Sequence, residues 1–154
     1  MTPMRKLLVL GLPLVIAACS TTGVPNGDVT GDITGAPTNQ GTIRLALLGL
    51  TFGGTVNESV EQFAVTPTDR GVYALTLPAT PRDGGYEVIA YADRNGNGTY
   101  DPGETRTQSN GKILAYTTSN FVGNVTGLSK GWNLVQDGRL VKSGTPFNNY
   151  DLSF

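Results

Sequence analysis

The amino-acid sequence predicts an all-β protein, folded as an antiparallel β-sandwich of seven or eight strands. From Thr42 onward, short apolar runs are separated by turn-forming residues at a spacing of roughly 8 to 12 positions, which is typical of sandwiches and barrels. Gly, Thr and Asn are abundant, whereas charged residues make up only 15% of the chain. No window combines a helical period with capping residues, so we expect strands and turns rather than helices.

The predicted strands are recognised by larger apolar residues that recur at about every second position. Tyr86–Tyr91 gives a strong signal of this kind. Asp137-Gly138 is the best short hairpin signal in the chain, because these residues accept the positive φ values of a two-residue turn. The segments predicted as strands are 43–47, 60–65, 72–77, 86–91, 113–118, 121–125, 132–135 and 140–141.

Residues 1–18 have the features of a signal peptide. Arg5 and Lys6 form a short positive region, and an apolar run follows over residues 7–18. This run is shorter than the roughly 20 apolar residues that a transmembrane helix needs. The run ends in two small residues, Ala17 and Ala18, directly before Cys19. We therefore expect residues 1–18 to be removed on export.

The stretch Ile16-Ala17-Ala18-Cys19 resembles the lipobox of bacterial lipoproteins, at which the cysteine is lipidated and the chain is cleaved. Cys19 is the only cysteine, and lipidation removes the liability of a free thiol in an exported protein. The resemblance implies a membrane partner through lipid on Cys19 and an extracytoplasmic location. In many bacteria with two membranes, an aspartate directly after the lipidated cysteine keeps a lipoprotein at the inner membrane. This chain has Ser20 at that position, so the resemblance favours the outer membrane if the cell has two membranes and uses this rule. The alternative is an ordinary secretory signal with a coincidental cysteine.

The mature chain is predicted to contain two parts. Residues 19–40 would comprise the lipidated cysteine and a flexible linker, because Thr, Gly, Pro, Asn and Asp dominate it and it has no aromatic residue. Residues 41–154 would form the β-sandwich domain. The alternative for the linker is an edge strand through Val29 and Ile33.

Composition excludes several functional classes. Without residues 1–18, the chain has 9 basic and 12 acidic residues, which argues against a nucleic-acid partner. The sequence contains no histidine, so Ser-His-Asp catalysis and His-ligated zinc are excluded. No phosphate-binding glycine loop is present. We predict that the protein is not an enzyme; a hydrolase that uses two carboxylates is the weakest alternative.

One segment has the pattern of a metal site. Residues 93–104 match the calcium-loop template D-x-[DN]-x-[DN]-G-x5-E at every specified position. Calcium binds six to eight hard oxygen ligands, and alternate residues of a tight loop can supply them. Gly98 allows the sharp turn, and Thr99 would contribute its backbone carbonyl. The predicted calcium ligands are Asp93, Asn95, Asn97, Thr99, Asp101 and Glu104.

The surroundings of this loop differ from those of an EF-hand, because a strand enters it and Pro102 follows it where a helix would begin. Residues 86–92 followed by Asp93-Arg94-Asn95-Gly96-Asn97-Gly98 resemble a pattern in transthyretin-like or Cna-B-like β-sandwiches of bacterial surface proteins. The resemblance covers about twenty residues. It implies an immunoglobulin-like or transthyretin-like sandwich with an EF-like calcium loop, and no particular activity.

Three aromatic residues could either pack in the core or contact a partner. Trp132 lies in the predicted hairpin, and Tyr150 and Phe154 alternate with polar residues at the C-terminus. Trp and Tyr are frequent in binding hot spots, but aromatic residues of a sandwich also fill its core. Both alternatives stay open at this stage.

Together these observations predict a membrane-anchored, extracytoplasmic calcium-binding lipoprotein of the cell envelope, with a structural or interaction role and an envelope protein as partner. A solute- or glycan-binding lipoprotein is the alternative.

Overall fold

The computed structural model describes residues 26–51, 61–65, 71–120 and 127–154. These residues contain nine strands and no helix, which confirms the all-β prediction. None of the described segments forms a helix long and apolar enough to cross a membrane. The strands are β1 (Val29–Thr34), β2 (Thr42–Gly49), β3 (Gln62–Val65), β4 (Val72–Leu75), β5 (Gly84–Asp93), β6 (Lys112–Thr117), β7 (Gly131–Gln136), β8 (Arg139–Ser143) and β9 (Leu152–Ser153).

The strands form two sheets that pack face to face. Six strands make an antiparallel sheet in the order β3-β2-β5-β6-β7-β8. The other sheet has the order β4-β1-β9, and its β1–β9 pair is parallel. The sandwich is therefore not antiparallel throughout, and it has more strands than predicted. Every predicted strand segment contains a strand except 121–125, which lies outside the described residues.

The main core fills the space between the two sheets. Large side chains such as Tyr73, Leu47 and Phe147 are fully buried there. A second apolar cluster covers the opposite face of the large sheet and consists of Ala46, Leu48, Ile89, Tyr91 and Tyr100. Because both faces of β5 are covered, nearly all of its residues are buried. This double burial explains the nearly continuous apolar run in its sequence.

The prediction of a flexible linker is wrong for residues 29–34, which form β1. The alternative of a strand through Val29 and Ile33 is confirmed, but this strand is central in its sheet and not at an edge. The C-terminal segment lies beside it: Thr30 N–H donates to the Phe147 carbonyl at 2.9 Å, and Tyr150 N–H donates to the Thr30 carbonyl at 2.9 Å. Gly31 allows this approach, since a Cβ there would lie 2.5 Å from the Tyr150 carbonyl oxygen. The stabilising partners are far away in sequence, and local composition does not show them.

The hairpin prediction at Asp137-Gly138 is confirmed. The two residues have φ values of 50° and 73° and connect β7 to β8. Both values are in the left-handed region that a two-residue hairpin turn of type I′ requires. The turn places β8 at one edge of the large sheet.

Candidate metal centre

The loop of residues 93–104 begins at the last residue of β5, Asp93. After the loop, the chain returns along β5: Ala92 N–H donates to the Thr105 carbonyl, and Thr107 N–H donates to the Ala90 carbonyl, both at 2.8 Å. The two ends of the loop are therefore fixed to each other by a short antiparallel ladder. This ladder continues the large sheet where β6 no longer pairs with β5.

Asp93 organises the first half of the loop. Its side chain is fully buried, and its two carboxylate oxygens accept N–H groups from Gly96 at 2.8 Å and Gly98 at 3.0 Å. Gly98 has a φ of 80°, which fits the prediction that it makes the sharp turn. Arg44 Nε on β2 also donates to Asp93 Oδ2, at 2.6 Å. Burial acts to raise the pKa of Asp93, but these hydrogen bonds outweigh it and hold the pKa below its usual value.

Three of the predicted ligand side chains meet at Asp101. The side-chain amides of Asn95 and Asn97 donate to the same oxygen, Asp101 Oδ2, at 2.7 and 2.6 Å. The Asn95 and Asn97 Oδ1 atoms accept the backbone N–H groups of Asn97 and Thr99, at 3.0 and 2.8 Å. Asn97 Oδ1 also accepts the Thr99 hydroxyl group at 2.9 Å, so both of its lone pairs are used in the turn.

Glu104 closes the loop. Its Oε1 atom accepts the Arg94 N–H at 2.8 Å, and its Oε2 atom accepts the Asp101 N–H at 3.1 Å. The carboxylate thereby connects the second, ninth and twelfth positions of the loop. Both of its oxygens also keep a free lone pair.

The loop has the ligand chemistry that calcium prefers, because the predicted side-chain ligands are carboxylate or amide oxygens on a tight turn. Its carboxylates are not gathered, however. Within the described ranges, no three His, Cys, Asp or Glu side chains are close enough together to hold a metal ion. Asp93 is paired with Arg44, while Glu104 accepts backbone N–H groups. The structure therefore brings Asn95, Asn97 and Asp101 together. The carboxylates of Asp93 and Glu104 accept hydrogen bonds from other groups instead.

Two residues that sequence reasoning missed fix the loop to the sheet. The Tyr100 ring packs edge-on against the Tyr91 ring, with 5.5 Å between centroids. The side-chain amide of Gln62 on β3 bonds the Tyr100 backbone twice, accepting its N–H at 2.9 Å and donating to its carbonyl at 3.1 Å. Tyr100 is the only aromatic residue of the loop, which is the one signal that indicated such an anchor.

A buried hydroxyl group lies beside the loop. Tyr91 has no exposed surface, and its hydroxyl group has no hydrogen-bond partner in the part of the chain that the structure describes. Burial raises the pKa of this hydroxyl to about 12, and the negative charge of Asp93 adds to the shift. The positive charge of Arg44 acts to lower this pKa, whereas Glu104 and Asp101 act to raise it.

Of the two alternatives for Trp132 and Tyr150, packing in the core fits the structure and contact with a partner does not. The Trp132 side chain is 8% exposed, and its Nε1–H donates to the Pro78 carbonyl at 3.0 Å. The Tyr150 hydroxyl donates to the Lys112 carbonyl at 2.7 Å. Phe154 is half-buried and packs against the same core.

An open groove of about 570 Å³ lies over β6 and β7, and its lining contains no residue of the calcium loop. Its lining includes the apolar residues Ile113, Ala115, Leu128 and Val135, with Asp83 and Asp137 among the polar ones. The Asp83 carboxylate accepts hydrogen bonds from the N–H and hydroxyl groups of Thr118 at 3.0–3.2 Å, so it already has partners within the protein.

No protein-family model, no curated protein and no solved structure matches this chain. Cys19, the predicted lipidation site, lies outside the described residues.

Proposed function

We propose that residues 93–104 bind calcium, and that the protein is a membrane-anchored, extracytoplasmic lipoprotein with a structural or interaction role in the cell envelope. The single observation that carries the proposal is the complete twelve-residue motif, folded as a closed loop. Within it, Asn95 and Asn97 converge on Asp101, and Gly98 makes the sharp turn on Asp93.

Calcium would act here as a cross-link. The ion would join the first and last positions of the loop, which the backbone ladder between residues 90–92 and 105–107 already brings close. Only three carboxylates are in the loop, and we expect a dissociation constant of about 10⁻⁴–10⁻³ M, as in extracellular modules. At millimolar calcium outside a cell such a site would stay filled, which favours a structural role over a signalling role.

The metal proposal is tested with Glu104→Gln, which keeps the shape of the side chain and removes its charge. We expect calcium to raise the melting temperature of the wild-type chain, because a ligand of the folded state stabilises it by mass action. The variant should lose most of this response. Asp32→Asn is the matched control, since Asp32 is exposed on β1 in the other sheet. No response of the wild-type chain at several millimolar calcium would refute the proposal.

The anchor is tested at Cys19. Expressed in a bacterium with its full N-terminus, the protein should partition into detergent and carry acyl chains on the peptide that begins with Cys19. Cys19→Ser should abolish both properties. A water-soluble wild-type protein cleaved elsewhere would instead indicate an ordinary secretory signal.

The groove over β6 and β7 favours a second candidate function, a solute-binding lipoprotein. Its volume is in the range of small-molecule sites, and apolar residues form much of its lining. Native mass spectrometry of the protein purified from its membrane would detect a retained small molecule. Ala115→Trp, which fills the groove, should remove it. A glycan site based on Trp132 finds no support, because that ring is buried.

A further inference from the structure

A positively charged side chain from β2 is already paired with the first carboxylate of the loop. Arg44 projects from β2 on the face of the sheet that carries the loop, where its cross-strand neighbour is Tyr91. Its Nε atom lies 2.6 Å from Asp93 Oδ2, and this carboxylate has no exposed surface. A guanidinium group thus neutralises the first residue of the calcium motif.

Arg44 is not needed to orient the Asp93 carboxylate. The N–H groups of Gly96 and Gly98 hold its two oxygens at 2.8 and 3.0 Å from inside the loop. These donors are fixed by the turn itself, whereas the Arg44 side chain is long and 28% exposed. Arg44 therefore adds a hydrogen bond and a positive charge to a carboxylate that the loop already orients.

A second, independent observation points to a ligand at the same place. The Tyr91 hydroxyl is buried and lacks a hydrogen-bond partner among the described residues. Tyr91 is the cross-strand neighbour of Arg44, and its ring packs against that of Tyr100 in the loop. Buried polar groups are nearly always paired, so an unpaired one indicates an arrangement that is completed by something else. A hydroxyl oxygen is both an acceptor for a released guanidinium N–H and a neighbour for a metal ion.

We propose that Arg44 is a built-in competitor of calcium: its guanidinium group compensates the charge of Asp93 when the metal is absent and lowers the affinity of the loop for the metal. This inference rests on the proposed calcium site and assigns its regulation. It gives the protein a loop that stays folded at low calcium. Calcium binding then requires the guanidinium group to be displaced or its repulsion to be overcome.

The test compares Arg44→Gln with Arg94→Gln in the full-length chain in detergent, by calorimetric titration with calcium chloride. Both variants remove one positive charge near the site, but Arg94 is an exposed residue of the loop and only Arg44 contacts Asp93. We expect Arg44→Gln to bind calcium about tenfold more tightly than wild type. In the wild-type protein, the guanidinium group and the calcium ion are both positive and would repel each other strongly at a partly buried site. Arg94→Gln should change affinity less than about threefold, because exposed charges are screened.

The outcomes separate the two proposals. Equal affinities of the two variants, or weaker binding by Arg44→Gln, would overturn the role of Arg44 and leave the calcium site intact. If none of the three proteins binds calcium, the calcium site itself is refuted, and the inference with it. Binding by Arg44→Gln alone would refute calcium binding by the wild-type chain and would show that the arginine occupies the site in place of the metal.

A measurement on the wild-type chain covers the case in which Arg44→Gln does not fold. The Arg44 Nε–H group should give a slowly exchanging NMR signal, because it donates to a buried carboxylate. Calcium should shift this signal and accelerate its exchange with water. Arg44→Lys, which keeps the charge, assigns the signal by its loss. An Nε–H signal that does not respond to saturating calcium would contradict the competition.

Discussion

The calcium loop and the three-stranded sheet are held together by opposite kinds of contact. In the loop, hydrogen bonds join residues two to ten positions apart, as between Asn95 and Asn97 or between Arg94 and Glu104. In the small sheet, bonds join the two ends of the chain, and the Thr30–Asn148 pair spans 118 positions. A local turn can open alone, whereas loss of the small sheet exposes the core. Damage to the sheet should therefore affect the whole protein, and damage to the loop should stay local.

The largest expected effect is that of removing residues 150–154. Tyr150 and Leu152 are fully buried in the main core, and β9 is the parallel neighbour of β1. The loss should be comparable to the whole stability of a domain, about 5–15 kcal/mol, so the truncated chain should not fold. Circular dichroism and chemical denaturation provide the measurement. A cooperative melt close to that of the full chain would show that the small sheet is dispensable.

Gly31→Ala should have the next largest effect. The new Cβ would press on the Tyr150 carbonyl, which is backbone and cannot rotate away. We expect a loss of about 1–3 kcal/mol, as for overpacking. Gly84→Ala is the control, because a Cβ there meets no atom within 4 Å. Equal stabilities of the two variants would mean that the close approach of β1 to the C-terminal segment does not constrain the fold.

Gln62→Leu tests the attachment of the loop to β3. The variant loses two neutral hydrogen bonds to the Tyr100 backbone, each worth about 0.5–1.5 kcal/mol. Hydrogen exchange should show faster exchange of the Tyr100 amide, while the amides of β1 remain protected. Gln108→Leu, at an exposed position, should alter neither. Loss of protection throughout the protein would show that the loop and the core unfold as one unit.

The smallest effect is the pH dependence that Asp93 contributes in the presence of chelator. The folded protein lowers the pKa of this carboxyl below its unfolded value of about 3.9. Its contribution to stability is therefore complete above about pH 4 and is lost as the pH falls through the folded pKa. Melts from pH 7 to pH 2 should decline less steeply in Asp93→Asn at the acid end. Identical slopes would show that the Arg44–Asp93 pair does not favour the charged carboxylate.

Features that depend on residues close together in the chain could be predicted from the sequence. Strand alternation and the Asp137-Gly138 turn are local signals, and the structure confirms them. The closed form of the loop also follows from adjacent residues, although its metal stays a prediction. Arg44 and Gln62 could not be found in this way, because their partners lie 49 and 38 positions away.

The position of β1 could not be predicted for the same reason. Its sequence, Val-Thr-Gly-Asp-Ile-Thr, has a composition typical of a linker. It becomes a strand because it pairs with β4 on one side and with the C-terminal segment on the other. Only the register of distant segments, which a single sequence does not contain, identifies it as part of the sandwich.

The central position of β1 also has a mechanical consequence. Among the described strands, β1 would be the first to receive tension transmitted from the residues before position 26. Because β1 has backbone neighbours on both sides, a pull along its axis loads both rows of hydrogen bonds in shear at the same time, instead of opening one row bond by bond. Strand β1 would therefore resist being pulled out of the sheet, and the C-terminal segment supplies one of its two rows of backbone hydrogen bonds.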